Sequence, residues 1–240
     1  MVKGTAVIVD LTPSGSKPGS GAPRGRERGL TNKETRLAKK RIGILISGRG
    51  SNMTALIQAA REDRLGGEVA LVLSDKAEAP GLAKARELGV EARAMTPRRW
   101  RTKLDGDDAR EYAAALEAAG VELVCLAGFM RVVKAPLLEA FPERILNIHP
   151  SLLPAFPGLD VQRRALEYGA RYSGCTVHFV DASLDGGPII AQRVVEVRDD
   201  DDADSLSARI LEQEHRLYPK AVALVLSGRY RLEGRRVIRL

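Results

Sequence analysis

Residues 41–61 read Arg-Ile-Gly-Ile-Leu-Ile-Ser-Gly-Arg-Gly-Ser-Asn-Met-Thr-Ala-Leu-Ile-Gln-Ala-Ala-Arg. The apolar run Ile42–Ser47 suits a buried strand, two glycines break it, and a helix follows from about Met53 to Arg61. The same alternation continues downstream. Glu68–Ser74 reads as a strand and is followed by a helix near Gly81–Leu88. Glu91–Met95 reads as a short strand, residues 107–119 as an Ala-rich helix, and Val121–Ala127 as a buried strand. Pro136–Ala140 starts another helix and Arg144–His149 another strand. Strands that alternate with helices predict an α/β fold: a Rossmann-like, mostly parallel twisted sheet with flanking helices. The C-terminal half departs from this rule. Cys175–Asp181 and Ile189–Val197 are joined by Ala182–Pro188, short enough for an antiparallel hairpin. A helix from about Ser205 to Leu226 follows, then a terminal hairpin with strands Tyr230–Leu232 and Arg236–Leu240.

Such sheets bind ligands beyond the carboxyl ends of their strands. At one such end the chain reads Leu146-Asn147-Ile148-His149-Pro150-Ser151-Leu152-Leu153-Pro154. Side chains alternate in a strand, so Asn147 and His149 share a face, and the prolines stop the strand there. An amide can donate to a developing oxyanion, and an imidazole moves protons near neutral pH. Either residue alone is more simply read as a partner for loop backbone. The pair on one face favours chemistry.

Three further places carry chemistry. Ser47-Gly48-Arg49-Gly50-Ser51-Asn52 joins the first strand to the first helix. Its amides and the helix dipole suit an anion, a monophosphate rather than a dinucleotide, since Met53 stands where a third glycine would. The plain structural alternative is that Ser51 or Asn52 caps the helix. Leu184-Asp185-Gly186-Gly187-Pro188 has the chemistry of a hairpin turn, which is its plain structural reading; the functional reading adds that Asp185 could face His149 and orient its ring. Leu126-Ala127-Gly128-Phe129-Met130-Arg131 is a packed strand end that could also wall a ligand pocket.

The composition bounds the partners. Ten Lys/Arg and three Asp/Glu fall within residues 1–41, so the net charge of +7 resides there, and the 28 basic and 28 acidic residues beyond cancel. Residues 1–40 read as a flexible, basic Gly/Pro/Ser/Arg-rich leader, with a stray strand in 2–11 and a short helix over 31–40. Residues 41–240 read as one domain. The neutral main part and an aromatic content of 4% argue against nucleic acid as a partner. Cys125 and Cys175 sit in apolar runs and read as buried free thiols. No metal-ligand spacing occurs, no run reaches membrane-spanning length, and no signal peptide is evident, so a cytoplasmic protein without a metal is expected.

Taken together, the stretches ISGRGSN (46–52), LAGFMR (126–131), LNIHPSLLPAFPG (146–158), VHFVDASLDGGPI (177–189) and QEHRLYP (213–219) resemble the folate-dependent formyltransferase family, in particular its branch acting on a purine-pathway nucleotide. The resemblance covers Arg41 to the final helix. It implies formyl transfer from 10-formyltetrahydrofolate, as cosubstrate, to the amine of 5'-phosphoribosylglycinamide, by direct attack. It implies Asn147, His149 and Asp185 as catalytic residues. Gly50, Ser51, Asn52, Met53, Thr54 and Glu214 would bind the nucleotide, with Glu214 on its ribose. Met130, Arg131, Val132, Val133 and Asn147 would bind the folate, and Arg110 is the arginine nearest to one the family carries before the helix of 107–119. Where that family often has histidines after Pro157-Gly158, this chain has Asp160 and Gln162. The alternatives are a formyl-folate hydrolase, which would need a folded regulatory domain in place of this leader, a methionyl-tRNA formyltransferase, which would need a C-terminal RNA-binding domain, and a plain binding module. The assembly expected is a monomer or a homodimer.

Overall fold

The computed structural model describes residues 39–240. The strand expected in 2–11 and the rest of the leader lie outside these residues. Of the helix expected over 31–40, Lys40 instead opens the first strand. In chain order the elements are β1 (Lys40–Ile46), α1 (Ser51–Arg61), β2 (Gly67–Ser74), α2 (Pro80–Glu87), β3 (Glu91–Ala94), β4 (Lys103–Leu104), α3 (Gly106–Ala118) and β5 (Leu123–Leu126). There follow β6 (Val132–Val133), α4 (Ala135–Ala140), β7 (Ile145–His149), α5 (Val161–Glu167), β8 (Tyr172–Phe179), β9 (Ile189–Glu196), α6 (Ala203–Ser227), β10 (Tyr230–Glu233) and β11 (Arg236–Arg239).

One sheet runs β10-β11-β9-β8-β7-β5-β1-β2-β3. From β3 through β7 all neighbours are parallel, whereas β8 pairs antiparallel with both β7 and β9. This is the mostly parallel sheet with an antiparallel C-terminal addition that the element pattern predicts. The chain leaves β1 for β2 on one side and later adds β5 on the other, so strand order reverses between β1 and β5. There the loops after both strands are left uncovered by a crossover.

Period-2 alternation sorts the core. Ile42, Ile44 and Ile46 of β1 pack with Leu56, Leu82 and Val222, from α1, α2 and α6. Leu45 of the same strand packs with Tyr112 and Leu116 of α3 and Leu137 of α4. Burial on both faces explains why these strands read as continuous apolar runs.

Four short elements depart from the expectation. The strand foreseen over Val121–Ala127 begins only at Leu123, because the Val121 amide donates to the Leu116 carbonyl at 3.0 Å and closes α3. Helix α5 and the two-residue strands β4 and β6, which pair with each other, carry no periodicity long enough to read. Cys125 and Cys175 are buried free thiols, and burial pushes both up to about 12. No helix among the described residues is long and apolar enough to cross a membrane.

Candidate active site

Strand β7 ends where Pro150 removes the next backbone donor. Asn147 and His149, two residues apart, both line a cavity of about 660 Å³. Its wall is largely apolar and includes Met130, Leu159 and Leu184, all exposed.

The antiparallel register sets His178 of β8 opposite Asn147, and Thr176 opposite His149. His178 Nδ1 lies 2.8 Å from the Phe179 carbonyl oxygen, which can only accept, so Nδ1 carries the ring hydrogen. Nε2 is then a lone pair, and it receives Asn147 Nδ2 at 3.2 Å. That bond fixes which end of the amide is nitrogen and leaves Nδ2 a second hydrogen. Burial lowers the pKa of His178 and favours the neutral ring this arrangement needs. His178 was absent from the expected site. Its place follows from cross-strand register, which no local pattern reveals.

His149 is buried, with Nε2 2.9 Å from the Phe156 carbonyl oxygen and Nδ1 3.5 Å from Asp185 Oδ2. The expected contact between Asp185 and His149 is therefore present in the fold. The same carboxylate oxygen accepts the Gly158 amide at 2.9 Å and so ties the 181–188 turn to the loop after β7. Thr176 Oγ1 donates to the Ser151 carbonyl and accepts the Leu153 amide, which holds the first residues of that loop against β8. Asp160 and Gln162 both line the cavity.

The loop after β1 lies beside this cavity, and its own residues do not line it. The Ser47 amide donates to the Gly128 carbonyl, and Ser47 Oγ accepts the Met130 amide at 2.8 Å, so the two loops at the strand-order reversal are joined. The cap of α1 is Gly50, left-handed at φ 70° and with no side-chain cap. Neither Ser51 nor Asn52 caps the helix. Its first-turn amides are thus left for an anion. Gly81 packs beneath this turn, with its amide on the Gly48 carbonyl at 3.0 Å. A Cβ there would sit 2.8 Å from that oxygen.

The other expected nucleotide residues divide. Asn52 Nδ2 donates to Glu214 Oε2 of α6 at 2.6 Å, and both residues are buried. Burial pushes Glu214 up to about 6. Met53 is wholly buried in the core, and the Thr54 hydroxyl donates to the Gly50 carbonyl. Backbone amides and Ser51 are therefore the groups open to a phosphate.

Of the residues expected to bind the folate, Met130, Arg131, Val132 and Val133 line the cavity. The Arg131 guanidinium, however, turns onto the buried Asp75 at 2.6 Å and onto the Trp100 carbonyl. Arg110 is not among the lining residues. It pairs with Asp107 at 2.5 Å on the exposed face of α3. The α-helical register carries it outward, while Ala109 and Tyr112 take the core positions.

Residues 40–222 match the family model described as formyl transferase. The chain is 40% identical over 191 residues to the phosphoribosylglycinamide formyltransferase of Escherichia coli K12, covering 80% of this chain and 89% of that protein. It is 45% identical over 200 residues to the trifunctional purine biosynthetic protein adenosine-3 of Drosophila melanogaster, of which it spans 15%. Among solved structures, glycinamide ribonucleotide transformylase 1 from Symbiobacterium toebii aligns with a TM-score of 0.80 at 53% identity, covering 84% of this chain and 94% of that one. A parallel sheet whose strand-order reversal meets a partly buried Asn/His/Asp cluster, together with these likenesses over most of the chain's length, leads to one assignment: the chain belongs to the formyl transferase family.

Proposed function

We propose that the protein transfers the formyl group of 10-formyltetrahydrofolate to the amine of 5'-phosphoribosylglycinamide, a step of purine biosynthesis. The observation that carries this reading is the convergence of Asn147, His149 and Asp185 on one cavity. Support for the acceptor comes from the uncapped α1 N-terminus, suited to a phosphate, and from the names of the relatives.

In this reading the acceptor amine attacks the formyl carbon. A carbon–nitrogen bond forms, and the carbonyl π electrons move to oxygen. The second Nδ2 hydrogen of Asn147 meets that oxyanion, with the first held by His178. Collapse breaks the bond to the folate N10, which takes up one proton while the amine gives one up. Both His149 nitrogens face acceptors, the Phe156 carbonyl and Asp185, a setting in which the ring can hold a proton between two partners. Asp185 keeps the ring in place, and through Gly158 it also fixes the loop that covers it.

The test supplies 10-formyltetrahydrofolate with the glycinamide nucleotide, with methionyl-tRNA, or with buffer alone. Formyl transfer that depends on the nucleotide is expected. Formate release at the same rate in buffer alone would establish a hydrolase instead, and formylation of the tRNA would establish the other transferase.

A further inference from the structure

We propose that Arg235, at the tip of the C-terminal β10–β11 hairpin, is a positioning residue for Asp185: it holds the turn that delivers this carboxylate to His149. The inference rests on the formyl-transfer reading above. The hairpin itself lies beyond residues 40–222, which match the family model.

The connection between β8 and β9 is pinned at its two ends. The Phe179 amide donates to the Pro188 carbonyl at 2.9 Å. Gly187 passes so close that a Cβ there would meet the Phe179 carbonyl oxygen at 1.9 Å. Between these ends the backbone has little support. The Ser183 amide donates to the Asp181 carboxylate, a bond within the turn. Asp185 stands in left-handed backbone at φ 50°, a conformation that disfavours residues other than glycine. Its side chain reaches Gly158 and His149, and lies 3.8 Å from His178 Nε2. Among the described residues, the Gly186 carbonyl is the one backbone group of 181–187 bonded outside the turn, and its donor is the Arg235 guanidinium.

The sequence brings that arginine to the turn. Residues 230–239 read Tyr-Arg-Leu-Glu-Gly-Arg-Arg-Val-Ile-Arg. Glu233 pairs with Arg236, so Gly234 and Arg235 form a two-residue turn, with Gly234 at φ 58° in its first position. The hairpin is seated beside both ends of the β8–β9 connection. Arg236 pairs with Ile189, next to Pro188, and the Tyr230 ring centroid lies 5.8 Å from that of Phe179. Arg231 is engaged by Glu233, whereas Arg235 takes the carbonyl of the residue that follows Asp185. Without this bond the turn is free to open between its pinned ends, and the carboxylate leaves the imidazole for part of the time.

The test pairs kinetics with proteolysis on the whole protein. Arg235→Met removes the donors at similar length, and Arg235→Lys restores one. Arg235→Met should lower kcat for formyl transfer about three- to tenfold, the net worth of one hydrogen bond. KM for the nucleotide should stay within about twofold, because the residues expected to bind it belong to α1 and α6 and not to this turn. Arg235→Lys should recover at least about half of the unaltered kcat, since an ammonium can also donate to the carbonyl. Added to Asp185→Asn, Arg235→Met should cost nothing further, because its effect passes through that carboxylate. Without substrates, chymotrypsin should cut after the exposed Leu184 about three- to tenfold faster in Arg235→Met than in the unaltered protein or Arg235→Lys. An unchanged kcat, an equal loss on top of Asp185→Asn, or equal cleavage rates would overturn the proposal. Because cleavage is read without substrate, failure to formylate the nucleotide would count against the proposed function alone.

Discussion

Asn147 can serve an oxyanion only if its nitrogen, and not its oxygen, faces the reacting carbon. His178 makes that choice, through a ring whose hydrogen is claimed by the Phe179 carbonyl. Asn147→Ala should lower kcat about a hundred- to a thousandfold, the usual loss for one oxyanion donor, measured by nucleotide-dependent formyl transfer. Turnover near the unaltered level would remove Asn147 from the proposed mechanism. Asp185, 3.5 Å from His149, should act through that ring. The losses in Asp185→Asn and His149→Ala should then be far from additive, with the double variant little worse than His149→Ala alone. Multiplicative losses would mean separate roles. Asn147 and His149 were legible in the sequence because strand alternation is local. His178 was not, since facing Asn147 depends on how β8 pairs, 31 residues away. Arg110 lies on the exposed face of α3, because likeness to a family position fixes chain order and not the face of a helix.

At the scale of elements, the long regular pieces were legible from period alone, and the misses are physical. Helix α5 has seven residues, too few for a stripe to emerge, and it begins from a left-handed Asp160. Helices α1 and α6 meet at the Asn52–Glu214 hydrogen bond, which gives a dependence on pH. Glu214 has an ordinary value near 4.5, and burial raises it to about 6 in the folded chain. Between those values the folded state binds more protons than the unfolded one, so stability falls as pH rises through that window. The full difference is about 2 kcal/mol. Glu214→Gln should abolish this component, so that the difference in unfolding free energy between the two proteins changes from pH 4.5 to 7 and is flat above. Parallel stability curves across that range would show that the carboxyl titrates alike in both states.

For the whole molecule, the strand-order reversal brings three carboxyl ends together, and Arg131 joins two of them. Its guanidinium leaves the loop after β5 and meets Asp75 just beyond β2, with Asp75 only 3% exposed. Arg131→Met should leave that carboxylate buried and unpaired, a loss of about 3–5 kcal/mol in urea unfolding. A loss below ~1 kcal/mol would mean that Asp75 finds water or another partner. Arg131 reads in sequence as a cavity wall, and the residue does line the cavity. That its charge serves the scaffold became visible only once β2 and β5 were set on either side of β1.

The position of β7 in the sheet also has a consequence in time. Asn147 and His149 stand on a strand flanked by β5 and β8, deep within nine strands, whereas Asp185 and Gly158 belong to surface loops held to each other by one hydrogen bond. Amide exchange against deuterium should therefore split this small cluster in two. The β7 amides should exchange only with global unfolding, and that of Gly158 through brief local opening that leaves the sheet intact. The cluster would then be half permanent and half intermittent, with the imidazole always in place and its carboxylate arriving with the loop.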